Sequence, residues 1–167
     1  MPLLALDVRL SDRLRALGDR SRPLRAAAIP LARSADGWIW VLGALAVAAA
    51  GGAPMRRQAL WIAAVVVATG IVVKVGKTLA RRTRPPGRWG GSYRRSDPHA
   101  FPSGHSARAF LLAVLAFAFG PTWLGAGLTL WATLVAVSRV VLGVHYLFDV
   151  VGGAVLGAAC GLLALAL

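Results

Sequence analysis

Apolar residues fill five long blocks of the sequence, and polar residues are confined to the segments between them. The blocks cover residues 38–53, 58–76, 103–120, 122–142 and 146–167. A helix needs roughly 20 residues to cross a bilayer, and the shorter blocks reach that length if their helices extend into flanking polar residues. The pattern therefore predicts an all-α, polytopic membrane bundle of about five transmembrane helices.

A different pattern precedes the blocks. Leucines recur there at steps of three and four, at Leu3, Leu6, Leu10, Leu14 and Leu17. This spacing predicts an amphipathic helix on the membrane surface, with a solvated arm as the alternative. Residues 1–36 are predicted to be an amphipathic N-terminal segment and residues 37–167 the transmembrane domain. The first segment carries seven arginines and no uninterrupted apolar core, so no signal peptide is expected.

Composition and charge narrow the class of protein. The chain is 57% hydrophobic with a mean hydropathy of +0.67, which is too apolar for an ordinary soluble domain. Its formal net charge is +13, and the basic residues lie between apolar blocks. The predicted partners are therefore the bilayer and a phosphate-bearing lipid, and nucleic acid is not expected. Only two carboxylates, Asp97 and Asp149, follow residue 36, so no metal and no cofactor are expected.

The basic residues are distributed unevenly between the two ends of the predicted bundle. If the blocks cross alternately, residues 1–36, 77–102 and 138–149 share one side. Seventeen of the nineteen Lys and Arg lie on that side when Lys74 and Arg108, which flank the 77–102 segment, are counted with it. The opposite side has only Arg56 and Arg57. The positive-inside rule then places the charge-rich side at the cytoplasmic face of the cell membrane.

Three polar clusters stand out in order along the chain. The first is Lys77, then six residues, then Arg84-Pro85. The second is Pro102-Ser103-Gly104-His105, and the third is Ser138-Arg139 followed by His145 and Asp149. Together they resemble the three-part signature of the type 2 phosphatidic acid phosphatase (PAP2) superfamily, which includes membrane lipid phosphatases and soluble vanadium haloperoxidases. No motif position departs from the pattern. The resemblance implies a small bacterial integral-membrane lipid phosphatase, because the apolar blocks exclude a soluble peroxidase.

The residues also suit phosphate chemistry on their own terms. Lys77, Arg84 and Arg139 could supply cationic donors to phosphate oxygens. Ser103 could donate its hydroxyl, and Gly104 could donate a backbone N–H from the start of a helix while letting the backbone approach closely. These five residues are the predicted phosphate-binding set.

Two histidines fit the steps of a phosphoryl transfer. His145 and Asp149 are four residues apart, which predicts that they share one helical face and that Asp149 orients His145 as the nucleophile. Attack by His145 would form a phosphohistidine intermediate. His105 is predicted to protonate the leaving group and then to activate water. The corresponding residues of the PAP2 superfamily have these same roles.

Other basic residues leave alternatives open. Lys74 is either a second phosphate contact or a membrane anchor, and Arg88, Arg94 and Arg95 bind either the substrate headgroup or anionic lipid. Topology anchors that snorkel to the interface are predicted at Arg56, Arg57, Arg81 and Arg82.

The leading function is hydrolysis of a lipid phosphate or diphosphate. The resemblance offers phosphatidic acid, phosphatidylglycerol phosphate and polyprenyl (di)phosphate as substrates, and the compact size favours the last two. A lipid phosphotransferase with the same site is one alternative, and a non-catalytic protein that binds anionic lipid is another. Several relatives that recycle polyprenyl carriers act at the outer face, so the resemblance opposes the cytoplasmic placement.

Overall fold

A computed structural model describes residues 2–86 and 97–167 of the chain. Within this part the fold is all-helical, as predicted. The helices are α1 (Pro2–Arg20), α2 (Arg22–Arg33), α3 (Gly37–Ala50), α4 (Ala53–Ala80), α5 (Gly104–Phe119), α6 (Thr122–Val141) and α7 (Leu147–Ala166).

The helices form a multi-pass membrane bundle. Three of them, α4, α6 and α7, are long and apolar enough to cross a bilayer. The pair α2 and α3 meets the same criterion together, with a bend of 49° at the break between them, while α5 is a shorter apolar helix of 16 residues. Within the described residues, length and composition thus support three to four spans where about five were predicted.

The centre of the bundle is a close contact between α5 and α7. A Cβ atom added at Gly153 would collide with the Ser103 carbonyl oxygen, and one added at Gly157 would collide with the backbone of Ala107. Small residues therefore let the two helix backbones approach, as they commonly do in membrane proteins. This contact fixes the start of α5 beside the start of α7, where the second and third sequence clusters lie.

The N-terminal helix α1 has several leucines that face outwards, and two polar residues lie on its buried side. Leu3, Leu6 and Leu17 are exposed, whereas Asp7 and Ser11 are buried against the bundle. An outward apolar face is what a helix at the membrane surface requires. The position of α1 relative to the bilayer stays a prediction.

The charge-rich segments gather at one end of the bundle, as the alternate threading predicts. The Arg15 guanidinium donates to the Pro86 carbonyl oxygen at 2.6 Å, and Gly18 packs against Val141 at the end of α6. Thr83 and His99 form an isolated antiparallel bridge that pins two parts of the polar segment after α4. This end of the bundle is where the candidate site lies.

Candidate active site

A cavity of about 350 Å³ opens at the charge-rich end of the bundle. Six of the eight predicted site residues line it: Lys77, Arg84, Gly104, His105, Arg139 and His145. The other two, Ser103 and Asp149, are fully buried behind the lining. The structure thus brings together parts of all three sequence clusters, which come from the end of α4, the start of α5, and the turn between α6 and α7.

Two of the cations converge on one carboxylate. The Lys77 ammonium lies 2.6 Å from Asp97 Oδ2, and Arg84 Nη2 donates to the same oxygen at 2.8 Å. Lys77 also donates to the His99 carbonyl oxygen at 2.9 Å. The Asp97 side chain is 38% exposed, whereas the two cations are almost completely buried. An anionic ligand that reached Lys77 and Arg84 would therefore compete with Asp97 for their donors.

The imidazole of His145 is held by the same arginine. Arg84 Nη1 lies 3.1 Å from His145 Nε2 and 2.8 Å from the Val144 carbonyl oxygen. A guanidinium only donates hydrogen bonds, so Nε2 must be the accepting nitrogen. The ring proton of neutral His145 is then on Nδ1, and the Nε2 lone pair is directed towards the cation cluster.

The second ring nitrogen of His145 faces Asp149. Nδ1 lies 3.5 Å from Asp149 Oδ2, which is longer than an ordinary hydrogen bond. The prediction that the two residues share a helical face is wrong, because α7 begins at Leu147 and His145 lies in the preceding turn. They meet because the Asp149 side chain turns back to accept from the Tyr146 N–H at 2.7 Å, as the N3 residue of a capping box.

The surroundings of His145 keep its imidazole neutral. Burial is the largest cause that lowers the pKa of His145 well below its ordinary value. The positive charges of Arg139, Arg84 and Lys77 lower this pKa further, because they disfavour a fourth positive charge nearby. A neutral imidazole has the lone pair that a nucleophile needs.

His105 is paired with a carboxylate that the sequence motifs do not include. Its Nε2 lies 2.7 Å from Asp36 Oδ1. Asp36 is the N-cap residue of α3, at the bend between α2 and α3, 69 residues before His105. Burial and the positive charge of Arg139 disfavour a protonated His105 ring, and the Asp36 carboxylate opposes them. Asp36 therefore favours the form that a general acid requires.

Ser103 and Gly104 open α5. The Ser103 hydroxyl caps the helix by accepting from the Ser106 N–H at 3.5 Å and the Ser106 hydroxyl at 3.2 Å, and its own N–H donates to the Asp149 carbonyl oxygen at 2.8 Å. Ser103 therefore ties α5 to α7 behind the cavity, while Gly104 lines the cavity itself. Whether the Ser103 hydroxyl also contacts phosphate stays a prediction.

The structure adds residues that the motifs miss. Lys74 and Arg108 also line the cavity, so Lys74 is placed at the site, although its side chain is exposed. Arg82 was predicted to be a topology anchor, but its guanidinium lies 2.6 Å from Asp7 and 2.9 Å from Asp149. The interpretation as an anchor is therefore wrong. Three other basic residues, for which headgroup or lipid contact was predicted, lie outside the described residues: Arg88, Arg94 and Arg95.

Comparisons with known proteins identify relatives of the chain. A segment of 65 residues is 42% identical to lipid A 4'-phosphatase of Bacteroides thetaiotaomicron, and it covers 38% of this chain and 29% of that protein. The chain thus spans less than a third of this relative's length. The fold is similar to the crystal structure of Aquifex aeolicus LpxE, with a TM-score of 0.77 and 22% identity over 97% of this chain and 96% of that one.

A second solved structure has the same fold. It is the first transmembrane PAP2 type phosphatidylglycerolphosphate phosphatase from Bacillus subtilis, with a TM-score of 0.77 and 22% identity over 99% of this chain and 85% of that one. The profile of the PAP2 superfamily matches residues 58–167, which is more than half of the chain and includes all three sequence clusters. The protein described here therefore belongs to the PAP2 superfamily.

Proposed function

We propose that the protein is a metal-independent membrane phosphatase that hydrolyses a lipid phosphomonoester or diphosphate through a phosphohistidine intermediate. The observation that carries this proposal is the buried neutral imidazole of His145, whose Nε2 lies against Arg84 in the wall of a cavity lined also by Lys77 and Arg139. Cations around a nucleophilic nitrogen are the arrangement that phosphoryl transfer requires.

The first step transfers the phosphoryl group to His145. Arg84 Nη1 turns from Nε2 to a phosphate oxygen, which frees the Nε2 lone pair. Nε2 then forms a bond to phosphorus, the bond from phosphorus to the lipid oxygen breaks, and the leaving oxygen takes a proton from His105. The phosphate displaces Asp97 from Lys77 and Arg84, and these cations stabilise the charge on the phosphoryl oxygens. The phosphorylated ring is positively charged, and Asp149 beside Nδ1 stabilises it.

The second step releases inorganic phosphate. His105 is now neutral and accepts a proton from water, whose oxygen attacks phosphorus. The bond from phosphorus to Nε2 breaks, and His145 returns to its neutral form with the proton on Nδ1. Asp36 stabilises protonated His105 at the end of this step, ready for the next turnover.

The carboxylates of the chain support a reaction without a metal ion. Asp97 pairs with two cations, Asp36 pairs with His105, and Asp149 pairs with Arg82. Among residues 2–86 and 97–167, no three His, Cys, Asp or Glu side chains are grouped closely enough to bind a metal ion. The cation cluster instead supplies the positive charge that a metal would bring.

The cavity and the relatives narrow the substrate class. Lys74 and Arg108 add two positive charges to the three of the predicted phosphate set, which suits a lipid with a second anionic group. The relatives' names point to lipid A and phosphatidylglycerol phosphate, and the family resemblance adds polyprenyl (di)phosphates. We propose this group of lipids as the substrates to test.

A panel of lipids tests the proposed reaction. Purified protein in detergent is expected to release phosphate from at least one of phosphatidic acid, phosphatidylglycerol phosphate, polyprenyl (di)phosphate and lipid A, with an unchanged rate in EDTA. Orthovanadate is expected to inhibit, since its trigonal-bipyramidal adduct on His145 imitates the transition state. Colorimetric phosphate release is the measurement, with the His145→Ala protein as control. Strict dependence on a divalent cation would contradict the metal-independent mechanism, and transfer of labelled phosphate to another lipid would identify a phosphotransferase.

The exposed arginines favour a cytoplasmic site. Cations that serve the site do not report topology, but five arginines of the N-terminal segment are exposed and line no part of the cavity: Arg9, Arg13, Arg20, Arg22 and Arg33. The opposite end of the bundle carries two, Arg56 and Arg57. The positive-inside bias thus remains after the site residues are set aside, and we propose that the site faces the cytoplasm.

Cysteine labelling tests this orientation. In a Cys160→Ala background, a single cysteine replaces exposed Asp19 at the site end, or Met55 at the opposite end as the matched control. A membrane-impermeant thiol reagent is expected to label the Met55→Cys protein in intact spheroplasts, and the Asp19→Cys protein only after permeabilisation. The reverse pattern would place the site at the outer face and would favour exported lipid carriers as substrates.

A further inference from the structure

Asp7 is a fully buried carboxylate in a helix that lies outside the matched family region. Its Oδ2 lies 2.6 Å from Arg82 Nη2, and its Oδ1 accepts from the Phe148 N–H at 3.0 Å. A buried charge is costly unless it is paired and hydrogen-bonded, and both conditions are met here. The ion pair connects α1 to Arg82, which in turn contacts Asp149 beside the nucleophile.

Arg82 connects Asp7 to the carboxylate behind the nucleophile. Its Nη1 lies 2.9 Å from Asp149 Oδ1, and its guanidinium lies over the Tyr146 ring at 4.3 Å from the ring centre. Asp149 is as completely buried as Asp7. One guanidinium therefore holds two buried carboxylates, one from the N-terminal helix and one from the site.

Both oxygens of Asp149 are then fixed. Oδ1 is held by Arg82, and Oδ2 accepts from the Tyr146 N–H and faces His145 Nδ1. A carboxylate held at both oxygens cannot rotate away from the imidazole. The position of the Arg82 fork depends in turn on Asp7.

The N-terminal helix also caps α7 independently of Arg82. The first N–H groups of a helix lack partners within it, and those of Leu147 and Phe148 are the first two of α7. Ser11 Oγ accepts from Leu147 at 2.8 Å, and Asp7 Oδ1 accepts from Phe148. Two side chains of α1 thus act as caps for the helix that carries Asp149.

We propose that Asp7 and Arg82 are positioning residues, which fix Asp149 and through it the orientation of the His145 imidazole, so that the N-terminal helix is a functional part of the active site. This inference rests on the proposed phosphatase function. Neither residue lines the cavity, so both act through Asp149 and do not contact substrate.

An isosteric substitution tests the role of Asp7. Asp7→Asn keeps an oxygen for the Phe148 N–H and removes the charge that holds Arg82, and kcat is expected to fall by about 10- to 100-fold, the scale of a misplaced catalytic group. KM is expected to change by less than about twofold, because substrate binding is untouched. Asp19→Asn removes the same charge from an exposed position on the same helix and is the matched control. Ser11→Ala removes one cap and leaves the charge bridge, so it reports on helix docking alone.

The pH dependence of kcat/KM distinguishes a positioning role from a purely structural one, because loss of structure alone would not shift it. The groups that face His145 are Asp149, Arg139, Arg84, Lys77 and His105. Removing the negative charge of Asp7 disfavours a positive ring, so the acid limb of kcat/KM is expected to move to lower pH in Asp7→Asn. Arg82→Gln removes a positive charge and therefore favours the positive ring, so the acid limb of kcat/KM is expected to move to higher pH. The Asp19→Asn profile is expected to follow the wild type.

The outcomes separate this inference from the proposed function. An inactive wild-type protein would refute the phosphatase proposal, whereas an active wild type with Asp7→Asn equal to Asp19→Asn would overturn the positioning role. If Asp7→Asn does not fold, Arg82→Lys carries the same test, because it keeps the charge but cannot bridge two carboxylates as a fork. Carbethoxylation of His145, located by mass spectrometry, reads the ring without turnover and is expected to be faster in Asp7→Asn than in Asp19→Asn. Equal carbethoxylation rates would also overturn the positioning role.

Discussion

Replacement of His145 by alanine is expected to reduce lipid phosphate hydrolysis by roughly four to six orders of magnitude, the range in which loss of an enzyme's nucleophile falls. The imidazole is neutral, and its Nε2 lone pair is directed at the cation cluster by Arg84. Water could still occupy the space that the ring leaves, but it would lack the fixed position and nucleophilicity of Nε2. The remaining cations would bind substrate, so KM is expected to change far less than kcat.

The matched control for this substitution is His99→Ala. His99 contributes its backbone carbonyl oxygen to Lys77, and an alanine there retains that oxygen. Initial rates over the lipid panel are the measurement, with gel filtration in detergent to confirm that both proteins fold. A His145→Ala protein within tenfold of the wild-type rate would rule out this nucleophile, and an equal loss in His99→Ala would assign the effect to the fold.

The sequence predicts the helices and the cavity lining well, because both depend on local pattern. The apolar blocks 103–120, 122–142 and 146–167 correspond to α5, α6 and α7 within a residue or two. The block 58–76 corresponds to α4. The helix is longer than the block because both helix ends extend into polar residues, as the short block implied. Motif spacing identifies the lining because each motif lies at the end of an apolar block, and alternate threading brings these ends together.

The sequence predicts Asp149 beside His145, but it does not predict the two carboxylates outside the motifs, Asp36 and Asp7. Asp36 pairs with His105 across 69 residues, and Asp7 reaches Arg82 across 75. Both acids lie in a segment whose leucine period indicates only an amphipathic helix, and nothing in that period shows which face is buried. The chain has only six Asp residues, and any of them that is buried needs a cationic partner, but the sequence does not identify that partner.

Replacement of His105 by alanine is expected to slow hydrolysis of a lipid alkyl phosphate by about 10²- to 10⁴-fold, the usual contribution of general acid–base catalysis. An alkoxide is a poor leaving group, so the first step needs the proton that His105 supplies. Asp36→Asn is expected to cause a smaller loss, because His105 remains while the partner at 2.7 Å from its Nε2 loses its charge.

A change of leaving group separates the two roles of His105. Nitrophenolate leaves from a nitrophenyl phosphate without needing a proton. The first step in His105→Ala should therefore proceed at nearly the wild-type rate with this substrate. The second step still lacks the base that activates water, and phosphohistidine should therefore accumulate to about one per protein, with a burst of nitrophenol of the same size. Base-stable, acid-labile labelled phosphate on His145, located by mass spectrometry, is the measurement. Equal rate losses for alkyl and nitrophenyl esters, without a burst, would show that His105 is not the acid, because the proton requirement is the only feature in which the two leaving groups are designed to differ.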